Sequence, residues 1–448
     1  MIAAKNTYIL LIAIAAVFIL SQVQPFFRTL GLALDFAVLV LVIIDFQLTQ
    51  RPFFLSAERD VADRLSIGRT NEVVLKIFNN GSMPLKCRVK DEYPPQLTTD
   101  VREFDFELPS NGFSVLKYAL FPNRRGAYEF GAINIRYRSF LGLLWRQVKI
   151  KPEANKTVRV FSDLKALYDL SIKLSRSSEL GELHQRKRGQ GTDFASLKEY
   201  TVGDDAKAID WNATARRDRP VVRTYEAEQE QRLCILVDAG RMMASDLEGL
   251  TRFDHALNAA LCLALTGLSH NDQVGMGIFA DRPLVNLPAR RGKGYLKNIL
   301  EACFDVEPRM VEPDYAGVLS YFASAQKGRA LIVLLTDLTD PTGSQALLAG
   351  LASLAPRHLP FCVTLKDRQI NRIANITTAT TDGSTPDAKL VSLEQTYQRA
   401  VATDLLSQRE LALSVLQRRG CLVLDCPPQE LSDKLVEAYL EVKTRARL

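Results

Sequence analysis

Two long apolar runs open the chain. Tyr8 to Leu20 reads YILLIAIAAVFIL, with apolar character carried into Ser21-Gln22-Val23; after Gln24-Pro25-Phe26-Phe27-Arg28 a second run reads LGLALDFAVLVLVIIDF. Each approaches the roughly 20 residues that cross a bilayer core. No small-x-small cleavage site follows the first run, as a removable signal peptide would require. The pattern predicts a retained two-helix transmembrane hairpin over residues 1–50. Lys5 precedes the first span, Arg51 and Arg59 follow the second, and the connecting loop carries only Arg28. The positive-inside rule then places both ends in the cytoplasm. The expectation is a multi-pass protein of the inner (cytoplasmic) membrane, its soluble domains facing the cytoplasm. Two acids interrupt the second run. Asp45 would lie level with Lys5 in an antiparallel hairpin, which predicts an interfacial ion pair. Asp35 lies deeper, where an ionised carboxylate costs about 2.5–3.5 kcal/mol at the bilayer centre, so it is expected to meet a partner helix or to stay protonated.

From about Asp60 to Val160 the pattern shortens to alternating runs. NEVVLKIFNNGSMPLKCRVKDEYP holds two strand-like segments around Asn79-Asn80-Gly81, a step that suits a tight hairpin. GFSVLKYALF, GAYEFGAINIRYR and LLWRQVKIKP read as further strands separated by Gly, Pro and Asn. Strands at this spacing without helical periods predict a β-sandwich domain over 60–160, a spacer or interaction module with no catalytic set.

A mostly polar stretch, 161–230, follows. Beyond it, over 231–448, apolar strands alternate with amphipathic helices: LCILVD, FDHALNAALCLALTGL, QVGMGIF, helices near 294–304 and 315–325, ALIVLLTD, QALLAGLASL, PFCVTL, a long helix near 393–418, CLVLD and a closing helix. Such alternation predicts a largely parallel, Rossmann-like α/β sheet covered on both faces. Ligands in these sheets bind at the carboxyl ends of strands near a topological switch, and Asp238 and Asp337 occupy such ends.

Composition narrows the function. The chain has 448 residues, 47% hydrophobic and 24% charged, with a net charge of +6. Its basic residues are interleaved with acids, so no nucleic-acid partner is expected. Seven cysteines stand apart with no CxxC pair, and four histidines are scattered. Buried free thiols in a reducing compartment follow, rather than a disulfide framework or zinc site. No Ser–His–Asp set, P-loop or HExxH motif is present, so no catalytic residues are assigned and the protein is not expected to be an enzyme.

Within the polar stretch, Arg188-Gly189-x-Gly191-Thr192-Asp193-Phe194, Leu197-Lys198-Glu199-Tyr200, Gly203-Asp204-Asp205, Ile209-Asp210-Trp211 and Thr214-Ala215-Arg216 resemble the hallmark of the bacterial domain-of-unknown-function 58 family. The order of hairpin, β domain, signature and α/β domain agrees with it. The resemblance implies work beside MoxR-type AAA+ ATPases. Physically, Gly189 and Gly191 permit close backbone approach. Asp204 or Asp205 can cap a short helix through Ala206 to Asp210. Trp211 offers a large apolar anchor, and Arg216 can bridge to Asp205 or Asp210. Together they suit a strap or docking surface fastened onto the next domain. The sharper alternative is a ligand or active site of Asp193, Asp204, Asp205 and Arg216. The basic stretches Arg186-Lys187-Arg188 and Arg216-Arg217-Asp218-Arg219 also suit anionic headgroups.

The α/β layout resembles the von Willebrand factor A fold, whose metal ion-dependent adhesion site takes an Asp-x-Ser-x-Ser loop, a Thr and a further Asp around Mg²⁺. Here the first loop reads Asp238-Ala239-Gly240-Arg241-Met242, the second Val311-Glu312-Pro313-Asp314-Tyr315, and the third Thr336-Asp337-Leu338-Thr339-Asp340. Gly240 and Met242 stand where the hydroxyls would, and Asp314 is the one substitute for the threonine. The adhesion site is therefore expected to be degenerate, with Asp238 and Asp337 left as possible Mg²⁺ ligands and with Arg241 placing a positive charge nearby. The leading expectation is a membrane-anchored interaction or adaptor protein. The alternatives are a metal-dependent hydrolase using clustered aspartates and an anionic-lipid binding module.

Overall fold

A computed structural model describes the chain except for residues 1, 21, 23, 153–156, 182–187, 202–208, 218, 227–230, 327, 339–340, 376–385 and 445–448. The chain divides into two compact units, Met1–Leu164 and Lys165–Leu448.

In the first unit the apolar runs form helices Lys5–Leu20 and Phe26–Leu48. At 1.5 Å per residue the second reaches about 34 Å, enough for a bilayer core of about 30 Å. It is the one described helix long and apolar enough to cross a membrane. The first, with 16 residues, falls short because Ile2–Ala3 is already a strand, paired with Leu144–Trp145. The two helices pack together, the Phe18 ring lying 3.1 Å from where a Cβ on Gly31 would stand. Their other faces leave Ile9, Ile12, Ile19, Leu32, Phe36, Leu39 and Ile43 exposed. Asp35 is exposed among them.

Asp45 does not pair with Lys5, which is exposed. It is fully buried and accepts from Ser139 Oγ at 2.5 Å, Leu141 N at 2.7 Å and Leu143 N at 3.3 Å. The turn that presents these donors needs Gly142 at φ +72°, a region open mainly to glycine. Three fixed donors satisfy a buried carboxylate better than one mobile ammonium at the rim. Arg146, itself buried, donates to the carbonyls of Phe46 (3.0 Å) and Gln50 (3.1 Å) at the helix end, where the dipole favours a cation. Tyr137 adds a bond to Gln50 O at 2.8 Å.

The β region forms a five-stranded sheet, Ile2–Ala3, Leu144–Ile150, Ile133–Arg138, Leu85–Asp91 and Phe104–Leu108, and a four-stranded one, Leu55–Val61, Asn71–Asn79, Gly112–Pro122 and Leu97–Thr99. Three short strands, Arg64–Ser66, Thr157–Phe161 and Gly126–Glu129, form a third. Alternation buries Val73, Leu75 and Ile77 on one strand and Leu85, Cys87 and Val89 on another. The tight hairpin expected at Asn79-Asn80-Gly81 is absent, because Asn71–Asn79 and Leu85–Asp91 belong to different sheets. A tight two-residue turn needs positive φ, which Gly81 lacks. Instead the Asn79 side chain donates to Met83 O (2.8 Å) and Pro109 O (2.9 Å) and accepts from Gly81 N (3.0 Å) and Gln50 Nε2 (2.6 Å). These bonds shape an arch that carries the chain across. A buried Arg59–Asp91 ion pair also ties the two sheets, with Tyr118 donating to Asp91 at 2.6 Å.

In the second unit, helix Leu164–Gly181 precedes a two-stranded sheet of Arg188–Glu199 and Val221–Glu226, with helix Trp211–Arg217 between the strands. The six-stranded sheet that follows has the order Pro283–Arg290, Gln273–Phe279, Arg232–Asp238, Leu331–Thr336, Leu359–Leu365, Leu422–Cys426. All pairs are parallel except the edge strand Pro283–Arg290, which the sequence pattern did not predict. It is half-exposed, and prolines interrupt it at 283 and 288. The core strands are apolar throughout because helices cover both faces. Tyr315–Ser324, Pro341–Leu354 and Pro386–Arg418 bury Leu319, Phe322, Leu351 and Leu416 against Leu236, Ile332 and Leu334. Arg252–Ser269 and Pro428–Thr444 pack with each other against the sheet. All seven cysteines are free and buried, and burial pushes the thiols of Cys87, Cys234 and Cys362 up to about 12.

Replacing Asp45 by Ala strands the donors of Ser139, Leu141 and Leu143. We expect a loss of about 2–4 kcal/mol, read as earlier thermal unfolding of the detergent-solubilised chain. An unchanged melting temperature would show that the turn does not depend on this carboxylate.

Candidate functional site

The chain steps to one side from Arg232–Asp238 to reach Gln273–Phe279 and to the other to reach Leu331–Thr336. The crevice at a switch point of this kind lies at the carboxyl ends of the strands, and Asp238 and Asp337 are there.

Asp238 is fully buried. Its Oδ1 accepts from Gly240 N at 2.7 Å, and its Oδ2 accepts from Thr336 Oγ1 at 2.7 Å and Tyr315 OH at 2.8 Å. Burial raises its pKa, although the bonds from Thr336, Gly240 and Tyr315 pull the other way. Both oxygens are therefore used inside the protein.

Asp337 is held more firmly. Arg252 Nη1 binds its Oδ2, Arg409 Nη1 binds its Oδ1 at 2.7 Å, and Leu338 N donates to Oδ1 at 2.8 Å. Each arginine reaches a second acid: Arg252 to Asp367 at 3.0 Å, and Arg409 to Asp425 at 2.8 Å. Burial weighs against the Arg409 charge, but Asp337 and Asp425 outweigh it and hold its pKa above the usual arginine value. Three carboxylates and two guanidinium groups thus form one buried chain across three strand ends. A cavity of about 40 Å³ beside it is lined by Arg252, Lys366, Asp367, Arg409 and Asp425, room for about one water. Sequence reasoning did not find Arg252 or Arg409. One signal was available for the first. Arg252 opens an otherwise apolar helix, where the dipole disfavours a cation, so a buried acid partner was to be sought.

The remaining loop residues do not supply cation ligands. A Cβ on Gly240 would come within 2.5 Å of Pro313 Cγ and 3.1 Å of Asp238 Oδ1, so this position has no room for a serine. Arg241 is exposed and pairs with Glu312 at 2.8 Å. Met242 is half-buried and offers no oxygen side chain. Asp314 caps the helix Tyr315–Ser324 by accepting from Gly317 N at 3.0 Å. Thr339 and Asp340 lie outside the described residues. No cluster of three or more His, Cys, Asp or Glu suited to a metal occurs among the described residues. Internal donors thus bind all four carboxylate oxygens of Asp238 and Asp337.

The signature residues are brought together only in part. Gly189, Gly191, Asp193 and Phe194 lie on the strand Arg188–Glu199, where Asp193 is opposite Glu226 and Phe194 opposite Tyr225. Tyr200 N donates to Pro220 O at 2.8 Å. Gly203, Asp204 and Asp205, with the helix expected over 206–210, lie outside the described residues except for Ile209 and Asp210. The observed helix begins one residue later, with Asp210 Oδ1 accepting from Asn212 N (3.0 Å) and Ala213 N (3.1 Å). Trp211 was expected to be an anchor. It is 70% exposed and so is not packed against the described residues of this chain. Arg216 is exposed on the same helix, and Arg186, Lys187 and Asp218 lie outside the described residues.

Two outcomes test this arrangement. Asp337→Ala removes the carboxylate that two buried guanidinium groups share, leaving Arg252 only Asp367 and Arg409 only Asp425, and should cost about 3–5 kcal/mol in urea unfolding. Mg²⁺ should leave the wild-type transition unmoved, and a Mg²⁺-dependent rise in midpoint would contradict the geometry. For Asp238 the sign follows from its raised pKa. The folded state holds the proton more tightly than the unfolded one, so this group's stability contribution is complete below about pH 4 and is lost as pH rises through the raised value. Relative to wild type, Asp238→Asn should therefore be more stable at neutral pH than in acid. Equal stability at both would sink this account.

Among curated proteins, an uncharacterised protein of Mycobacterium tuberculosis and its counterpart in Mycobacterium bovis are each 24% identical over 181 residues, 40% of this chain and 56% of theirs. The chain thus spans about half the length of these relatives. Among solved structures, an aerotolerance-related membrane protein of Bacteroides fragilis is 14% identical, covering 48% of this chain and 99% of its own at a TM-score of 0.30. The CARDB domain of a Pyrococcus furiosus protein is 16% identical, covering 24% and 94% at a TM-score of 0.16. Scores this low assign no fold. The family match begins just beyond Gly189, Gly191, Asp193 and Phe194 and includes the rest of the signature: residues 196–410 match the family described as protein of unknown function DUF58.

Proposed function

We propose that this protein is a membrane-anchored adaptor whose C-terminal α/β domain, von Willebrand factor A-like in layout, docks a protein partner through its carboxyl edge without a bridging cation. One observation carries the reading. Asp337, the acid that a bridging ion would use, is neutralised on both oxygens by Arg252 and Arg409. Recognition at this edge then depends on shape and on exposed charge, such as Arg241 and Glu312 at its rim. The water-sized cavity at the same edge supports binding rather than turnover, and no catalytic role is assigned to Asp238. The partner we propose is a MoxR-type AAA+ ATPase or its client.

The anchor reading rests on the helix Phe26–Leu48. A second pass by Lys5–Leu20 is supported by its packing on that helix and by the apolar residues both leave exposed, a surface that water does not favour at this extent. The placement of basic residues and seven buried free thiols support a cytoplasmic location for both folded units.

Affinity purification of the full-length chain from its native membrane should recover an AAA+ ATPase. Exchanging charge at the rim with Arg241→Glu should weaken that recovery about tenfold while leaving the melting temperature in place, since exposed pairs contribute about 0–1 kcal/mol to stability. Failure to recover any ATPase in several nucleotide states would count decisively against the adaptor reading.

A further inference from the structure

At the foot of the helix pair lies a cavity of about 400 Å³, within the range of small-molecule sites. It lies between the chain ends of the two helices, the arch after Asn79 and the turn that Asp45 holds. We propose that this cavity binds the phosphate-and-hydroxyl headgroup of an anionic membrane lipid of the phosphatidylglycerol type. The inference rests on the membrane-anchor reading above.

Position is the first argument. Asn6 is the second residue of Lys5–Leu20 and Gln50 follows Phe26–Leu48 by two, and both line the cavity. The site therefore sits where the apolar stretches end, at the level of the headgroups. Charge is the second argument. Arg138 and Lys86 are the ionisable residues in the lining, and both are cations. Lys86 meets Glu107 at 3.1 Å only on an exposed rim. Arg138 has no carboxylate partner among the described residues; its guanidinium lies 5.8 Å from the Trp145 ring centre, and its buried Nε has no hydrogen-bond partner. The nearby acid, Asp45, is engaged by the donors of the turn.

Polar complementarity is the third argument. A Cβ on Gly142 would lie 3.9 Å from Asn6 Nδ2 and 4.0 Å from Arg138 Nε, so two donors converge on one point of the turn. Gln50 Oε1 is also buried without a partner, while its Nε2 is fixed on Asn79. The converging donors of Asn6 and Arg138 suit a phosphate oxygen. Finally, Phe140 and Leu141 are 62% and 42% exposed on the turn, and Phe53 beyond the helix is 70% exposed. Aromatic and aliphatic side chains at this level suit the membrane interface.

The test uses the full-length chain in nanodiscs of phosphatidylcholine alone or of equal parts phosphatidylcholine and phosphatidylglycerol, with native mass spectrometry counting lipids retained on release. One phosphatidylglycerol should stay with each chain, in preference to phosphatidylcholine. Arg138→Gln should reduce its retention about fivefold, the worth of one cation near an anionic surface. Lys86→Gln, at an exposed position, should act in the same direction and keeps the test open should the first variant misfold. Equal retention of the two lipids, or unchanged retention in the variants, would overturn the proposal. Displacement of the lipid by millimolar inorganic phosphate would also overturn it, by marking a soluble anion as the ligand. Carbonate extraction separates the two readings: wild-type chain released from membranes refutes the anchor, whereas a chain that stays embedded without headgroup preference refutes this site alone.

Discussion

A carboxylate clamped between two guanidinium groups organises the α/β domain. Asp337 lies at the end of the strand Leu331–Thr336, Arg252 begins a helix on one face of the sheet, and Arg409 lies on a long helix on the other. The interaction thus joins all three layers at the edge where such sheets meet their ligands. It persists in a buried setting because each cation also reaches a second, partly exposed acid, Asp367 or Asp425, so neither guanidinium is left unpaired. The same arrangement decides the chemistry of the edge. Its acid faces two cations of the protein's own.

The N-terminal unit repeats this logic with different groups. Asp45 and Arg146 join the end of the long apolar helix to the turn and strands above it, while Arg59 and Asp91 join the two sheets. Helix, turn and sheets become a single piece through buried charge whose partners lie 32 residues apart for Arg59 and Asp91 and 94 to 100 apart for Asp45 and Arg146.

Much of the fold was legible in local pattern. Period-two alternation marked Asn71–Asn79 and Leu85–Asp91, and apolar runs between amphipathic helices marked the parallel strands. Long-range choices were not legible. Nothing near Asn79 says that its amide will bond to Pro109 and Gln50 and turn a hairpin into an arch. Asp45 was paired with the cation nearest in depth, yet its donors come from a loop that only the folded sandwich brings near. At the site, the missing hydroxyls at Gly240 and Met242 could be read directly. The arginines that occupy Asp337 could not, because a single sequence does not tell a buried arginine from a solvated one.

The contact between Gly240 and Pro313 has a consequence for how this edge can change over time. A hydroxyl placed at 240 meets the proline ring of the neighbouring loop, so the substitution is harmful unless residue 313 has been reduced first. A smaller residue at 313 alone gains nothing while Arg252 and Arg409 keep their hold. A hydroxyl ligand at this edge thus requires changes at 240, at 313 and at the arginines together, in a restricted order.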